Sequence, residues 1–278
     1  MTRPALGNRR GMGEVLADLR AGVLTVTLHR PSRLNALSVS LQRELAGLWA
    51  RVRGDAGIRC IVVTGAGRAF CAGADAADLD AMTAPQSRDR GRIEFCPAAC
   101  VDVPVLVAVN GLCLGAGLRL LADADMAIAS DLAWFSDPHV SVGQLGTPVA
   151  LALAEKCSAA AVARLFLSGS SFRMPAGQAL SAGLVSEVVA ADELDRRATE
   201  IAASVAAQSP AATRATVAAL RRRHREALRT QVAQAWADVA RQRAHPDAAE
   251  GARALAEGRP ARWSPWSRPA GSDEEGAP

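Results

Sequence analysis

Val105-Leu106-Val107-Ala108-Val109-Asn110-Gly111-Leu112-Cys113-Leu114-Gly115-Ala116-Gly117-Leu118-Arg119 is the stretch that decides the fold. Its unbroken apolar start reads as a strand buried on both faces, and the small residues after Asn110 read as a turn that opens a helix at Ala116. The first amides of a helix have no intrahelical acceptor, so such a turn presents bare N–H groups to a negatively charged atom. A second turn of this kind, Gly65-Ala66-Gly67-Arg68-Ala69-Phe70-Cys71-Ala72-Gly73-Ala74-Asp75, also follows an apolar strand, Ile61-Val62-Val63. Two strand-to-turn amide sites together point to an oxyanion hole.

Outward from these turns the pattern is α/β. Residues 15–20 and 23–29 alternate as two strands around Ala21-Gly22, a helix over 41–53 places Leu41, Leu45, Leu48 and Val52 on one face, and a strand follows at 60–64. A polar helical region is expected over 78–100, then a strand at 105–110, a helix from Ala116 and a strand at 126–129. Strands alternating with helices predict a largely parallel sheet. From Pro175 the chain turns helical, over 175–182, 192–207, 210–223 and 226–243, with Ser209 as cap and Pro210 in the first turn of the third. The apolar run 103–118 is broken by Pro104, Asn110 and the glycines, is closed by Arg119 and falls short of the ~20 residues of a membrane span. It reads as core. The tail after Trp266, rich in Gly, Pro and acids, is expected to be disordered, and no internal repeat is visible.

Composition excludes several classes. Half of the 278 residues are apolar, enough for a sizeable core. The net charge of +4 is small and the arginines are spread along the chain, which argues against nucleic acid. The densest basic run, Arg221-Arg222-Arg223-His224-Arg225, belongs to a helical pattern with Leu220, Leu228, Val232, Trp236 and Val239 on its apolar face, and reads as a solvated face. Six cysteines lack CxxC spacing and nearby paired histidines, so no metal site is indicated and most are expected in the core. The N-terminus has no secretory apolar stretch, and a cytoplasmic protein is expected. Phe70 stands where a dinucleotide fingerprint needs its third glycine, and no Gly-Lys-Ser/Thr follows either turn, which excludes Rossmann and P-loop functions.

The two turns, together with His29-Arg30-Pro31-Ser32-Arg33-Leu34-Asn35-Ala36-Leu37-Ser38, Ala182-Gly183-Leu184-Val185-Ser186-Glu187-Val188-Val189, and Glu250-Gly251 followed by Glu257-Gly258-Arg259-Pro260-Ala261-Arg262-Trp263, resemble the crotonase (enoyl-CoA hydratase/isomerase) superfamily, in family order over most of the chain. The resemblance implies an α/β crotonase (ClpP/crotonase-like) spiral fold of ββα units with a C-terminal helical region. Residues 1–12 would be a flexible N-terminus, 13–190 the acyl-CoA-binding core, 191–263 a helical oligomerisation region and 264–278 a disordered tail. It also implies a coenzyme A thioester as substrate, no permanently bound cofactor, no metal, no membrane span, and a homotrimer or hexamer (dimer of trimers). The N–H groups of Ala74 and Ala116 would stabilise a thioester enolate, typically by ~3 kcal/mol per donor. Arg33, Asn35, Ala36, Ala72, Asp75 and Leu112 would line the CoA and acyl site.

Three positions depart from the family pattern. The two catalytic glutamates of its hydratases align with Arg119 and His139, and a carboxylate used by some relatives aligns with Thr147. A guanidinium stays charged and cannot act as a base, whereas an imidazole titrates near neutrality. His139 is therefore the candidate acid/base group, unless it is only a loop or core residue, and Asp137 either orients its ring or serves the turn. Arg119 is either a carboxylate anchor for the acyl group or simply the (i, i+4) partner of Asp123, a pairing worth about 0.5 kcal/mol or less. The implied activity is a crotonase-type lyase or isomerase reaction, with Arg119 and His139 at the glutamate positions arguing against standard two-glutamate hydration. Two alternatives stand beside it: a non-catalytic acyl-thioester binding protein, and an enzyme acting on a non-CoA ketone with His139 as base.

Overall fold

The hairpin β1 (Val15–Arg20) and β2 (Val23–Leu28) opens the described chain, turning at Ala21 and Gly22, both with positive φ. Such a two-residue turn matches the twist of the strands it joins. The computed structural model describes residues 13–75 and 95–265; the expectations for 1–12, for most of 78–100 and for the tail beyond 265 fall outside them. Next come α1 (Val39–Val52), capped by the Ser38 side chain, β3 (Cys60–Gly65) and β4 (Ala69–Cys71). Then follow β5 (Val105–Val109), β6 (Leu112–Leu114), α2 (Ala116–Asp123), β7 (Met126–Ser130) and β8 (Trp134–Ser136). Helices α3 (Thr147–Ala154) and α4 (Ala159–Leu167) lead to β9 (Met174–Pro175), α5 (Ala176–Ala182) and β10 (Glu187–Val189). Three helices close the chain: α6 (Leu194–Ala206), α7 (Pro210–Arg243) and α8 (Pro246–Glu257).

The strands form two sheets, β1-β2-β3-β5-β7-β10 and β4-β6-β8-β9, parallel except for the pairs β1/β2 and β8/β9. Each of β3, β5 and β7 is followed at once by a short strand of the second sheet. The chain thus steps along both sheets in the same order, the spiral of ββα units that the family resemblance implied. Strands β3 and β5 read as continuous apolar runs because both their faces are covered. Cys60, Val62, Leu106, Ala108 and Ile128 meet Leu194, Ala198, Ala202 and Ala206 of α6, which recur every fourth residue on one helix face. On the other side Ile61, Val63, Val105 and Val107 share a core with Leu41, Leu45, Leu48 and Trp49 of α1. Each fully buried side chain of this kind contributes about 1.5–3 kcal/mol.

The structure corrects the sequence reading in the C-terminal half. The helices expected at 210–223 and 226–243 are one continuous helix, α7. Nothing between Pro210 and Arg243 is a glycine or proline, so the arginine run does not break it. Nor is that run wholly solvated: Arg221 is nearly buried, with Nε 2.8 Å from Asp125 and its other nitrogens donating to the Ala98, Val101 and Val103 carbonyls. It ties α7 to the loop that feeds β5. Leu220 and Trp236, expected on the apolar face, are exposed. Among the described residues no helix is long and apolar enough to cross a membrane.

Candidate active site

The two glycine turns stand side by side at the ends of β4 and β6. The first is held from both flanks by amide side chains. Asn35 Nδ2 donates to the Ala66 and Ala69 carbonyls at 2.9 and 2.7 Å, while Asn110 accepts from Gly65 N and donates to the Gly67 carbonyl. Gly73 (φ 95°) and Gly115 (φ 47°, ψ −111°) adopt backbone angles that a residue with a β-carbon reaches only at a cost. A β-carbon placed on Gly73 would stand 3.6 Å from Ala116 N, so the turns are in contact. Ala116 is the first residue of α2, its Gly115 cap offers no side chain, and neither Ala116 N–H nor Ala74 N–H donates to an acceptor among the described residues. At Ala116 the helix dipole adds to the pull on an anion.

His139 lies beside this junction. It starts a 3₁₀ turn, His139–Val142, after β8, and its Cε1 is 3.8 Å from where a β-carbon on Gly115 would stand. Pro138 is in the helical region, which folds the Asp137 carboxylate back on the residue that follows. Oδ1 accepts from His139 N at 3.1 Å, and both carboxylate oxygens are 2.9 Å from His139 Nδ1. Asp137 is fully buried and His139 partly open. The two sequence readings of Asp137 therefore hold together: it serves the turn and it orients the ring. Gly146, just ahead of α3, approaches the pair closely, a β-carbon there falling 2.9 Å from Asp137 Oδ1 and 3.0 Å from His139 Nδ1. Thr147 follows as the first residue of α3.

Arg119, on α2, pairs with Asp123 through Nε at 2.9 Å. Burial alone would lower its guanidinium, but the Asp123 carboxylate and the Cys96 sulfur together outweigh this and hold it above the ordinary arginine value. Its Nη1 is buried without a hydrogen-bond partner among the described residues. The residues expected along the CoA site are unequal. Arg33 is exposed, and Leu112 and Ala72 are partly exposed on β6 and the first turn. Asn35 is completely buried and its amide serves the turn; Ala36 is buried, its carbonyl bonded by Arg30; and Asp75 pairs with Arg30 at 2.7 Å. Sequence reasoning quoted Asn110 only as part of a motif and passed over Gly146, because their roles are contacts 41 to 45 and seven residues away. No three His, Cys, Asp or Glu side chains among the described residues gather as for a metal.

Residues 18–265 match the Enoyl-CoA hydratase/isomerase family. The chain belongs to this family. It is 32% identical over 249 residues to a mevalonyl-coenzyme A hydratase of Aspergillus fumigatus, covering 87% of this chain and 92% of that protein. A 2,3-dehydroadipyl-CoA hydratase of Escherichia coli is 32% identical over 225 residues, with coverage of 80% and 88%. The solved enoyl-CoA hydratase/isomerase of Pseudoalteromonas atlantica superimposes with a TM-score of 0.81 at 30% identity, over 90% of this chain and all of that one. The chain carries Arg119 and His139 at the two positions that the resemblance aligned with the hydratase glutamates.

Proposed function

We propose that the protein binds an acyl-CoA thioester, holds its carbonyl oxygen between the N–H groups of Ala74 and Ala116, and moves a proton at the adjacent carbon with His139. The observation that carries this reading is the contact of two turns whose amides meet no acceptor among the described residues, beside the imidazole that stands at one of the aligned glutamate positions. The α-carbon C–H bond breaks, its proton goes to His139, and its electron pair runs into the thioester to form an enolate that the two amides stabilise. Return of the proton to the same carbon gives exchange; return elsewhere on the conjugated chain gives isomerisation. Crotonyl-CoA hydration is slow, since each missing positioned acid or base accounts for about 10²–10⁴-fold.

The CoA moiety lies along Arg33, Ala36, Ala72, Asp75 and Leu112, with Arg33 offering its cation to the phosphates. Buried Arg119 Nη1 has a donor to give, which favours an acyl group carrying a carboxylate. The same reading carries assembly as a trimer or hexamer, supported by large apolar side chains exposed on the single chain, such as Leu167, Leu220 and Trp236.

The test is incubation with saturated, malonyl- and enoyl-CoAs in deuterated water, read by mass spectrometry alongside calorimetric affinity. Deuterium entering the α-carbon, and its loss in His139→Gln with affinity within a few-fold, is the expected result. Tight binding with no exchange on any thioester would instead assign a non-catalytic acyl-thioester binding protein, and absence of binding would turn the search to non-CoA ketones.

A further inference from the structure

We infer that Asp137 is a positioning residue that fixes His139 as a proton acceptor at Nε2; the inference rests on the reading of His139 as the acid/base group. Both carboxylate oxygens stand 2.9 Å from Nδ1, and the carboxylate is fully buried. An ionised carboxylate only accepts, so a bare Nδ1 lone pair facing it would leave a buried acceptor without its donor. The ring therefore carries its hydrogen on Nδ1 and its lone pair on Nε2. Rotation of the ring away from the carboxylate is opposed by packing. A β-carbon on Gly146 would meet Asp137 Oδ1, His139 Nδ1 and Phe166 Cε1, all at 2.9 to 3.0 Å, so that backbone closes the pair in from its own side. The Cε1 edge of the ring faces Gly115, which caps the second amide turn.

The chemistry that follows is a single-base proton transfer. Nε2 takes the α-proton as the C–H pair becomes the enolate, and the imidazolium that forms sits against the Asp137 carboxylate, which keeps its acceptor role and receives no proton. Return of the proton from Nε2 to carbon restores the starting state. Asp137 thus stands two residues before the base, on a turn rather than across the site, and replaces no aligned family glutamate.

The test uses the full chain with hexanoyl-CoA in deuterated water and three variants: Asp137→Asn, His139→Gln and the double variant. Asp137→Asn is expected to slow α-proton exchange about 10²–10⁴-fold while leaving hexanoyl-CoA affinity within threefold, and to cause no further loss in the His139→Gln background. The ¹⁵N spectrum of labelled histidine is expected to show protonated Nδ1 and bare Nε2 for His139 in the wild type, and a mixture of tautomers in Asp137→Asn. Wild-type exchange left intact by Asp137→Asn, or losses that add in the double variant, overturns the inference and spares the proposed function. Absence of wild-type exchange overturns both. Should the Asn variant not fold, the wild-type spectrum decides, and a hydrogen on Nε2 of neutral His139 overturns the inference.

Discussion

The N–H of Ala116 survives every substitution of its side chain but one. Proline suits the first position of a helix, where its fixed φ fits and its missing hydrogen breaks no intrahelical bond. Ala116→Pro is therefore expected to keep the fold and acyl-CoA affinity while lowering α-proton exchange about 10²–10³-fold, the effect of losing one oxyanion donor; exchange at the wild-type rate would mean that this amide is not a donor. The thiols give a second prediction at this scale. Burial pushes the Cys60 and Cys71 thiols up to about 12 and drives Cys96 and Cys113 upward too. Only thiolates react, so iodoacetamide at neutral pH should label Cys100 and the half-buried Cys157 first and leave the other four until the protein unfolds. Peptide mapping reads this directly, and early labelling of Cys71 would contradict the packing described. The two amide turns were legible because glycines mark turns whatever the tertiary context. For Asp137 the sequence left two roles open, because its bond to His139 depends on the helical φ and ψ of Pro138 and on Gly146 arriving from seven residues beyond.

Helix α8 is the element that presses on the turn carrying His139. A β-carbon on Gly251 would stand 2.3 Å from the Val142 backbone, and Gln242 of α7 donates to the Gly143 carbonyl at 2.9 Å. Gly251→Val must push α8 off that turn, at about 1–3 kcal/mol for an overpacked contact. Thermal melting should fall, and α-proton exchange should drop more than hexanoyl-CoA affinity; a variant with unchanged exchange would free the turn from the helix. Glu250 holds the other end of this segment, accepting from Arg259 at 2.6 Å and from Arg262 N at 2.8 Å. The Arg259 hydrogen bonds bring its carboxyl down to about 2. Its folded value lies below the unfolded one, so its contribution is complete above the usual carboxylate range and disappears as pH falls toward 2. Hydrogen exchange is expected to show 246–264 loosening first between pH 4.5 and 2, and Glu250→Gln to loosen it at neutral pH. Periodicity revealed α1, α6 and both ends of α7 but not α3, α4 or the twelve-residue α8. It missed β4, β6 and β8, since a strand of three residues is too short to carry a period.

For the whole molecule, the order of strands was readable because β3, β5 and β7 are uniform apolar runs, while the way the chain doubles into a second sheet was supplied only by the family resemblance. Surface chemistry follows the same division. Leu167, Leu220 and Trp236 are 76%, 58% and 43% exposed on the isolated chain, and Leu220 and Trp236 were expected to be covered because a helix places apolar residues where something packs on them. Within the chain nothing described does so, and a second copy is the occupant that the proposed assembly supplies. Light scattering on the eluting peak is then expected to give three or six times the 28.9 kDa chain mass, with a melting temperature that rises with protein concentration, as it must when association stabilises only the folded state. Leu220→Asp with Leu167→Asp places charges on two of these sites and should shift the peak toward smaller species without changing the secondary structure seen by circular dichroism. A wild type that elutes as a monomer at tens of micromolar, with a melting temperature independent of concentration, would refute assembly while leaving the amide turns and the Asp137–His139 pair, all built within one chain, as they stand.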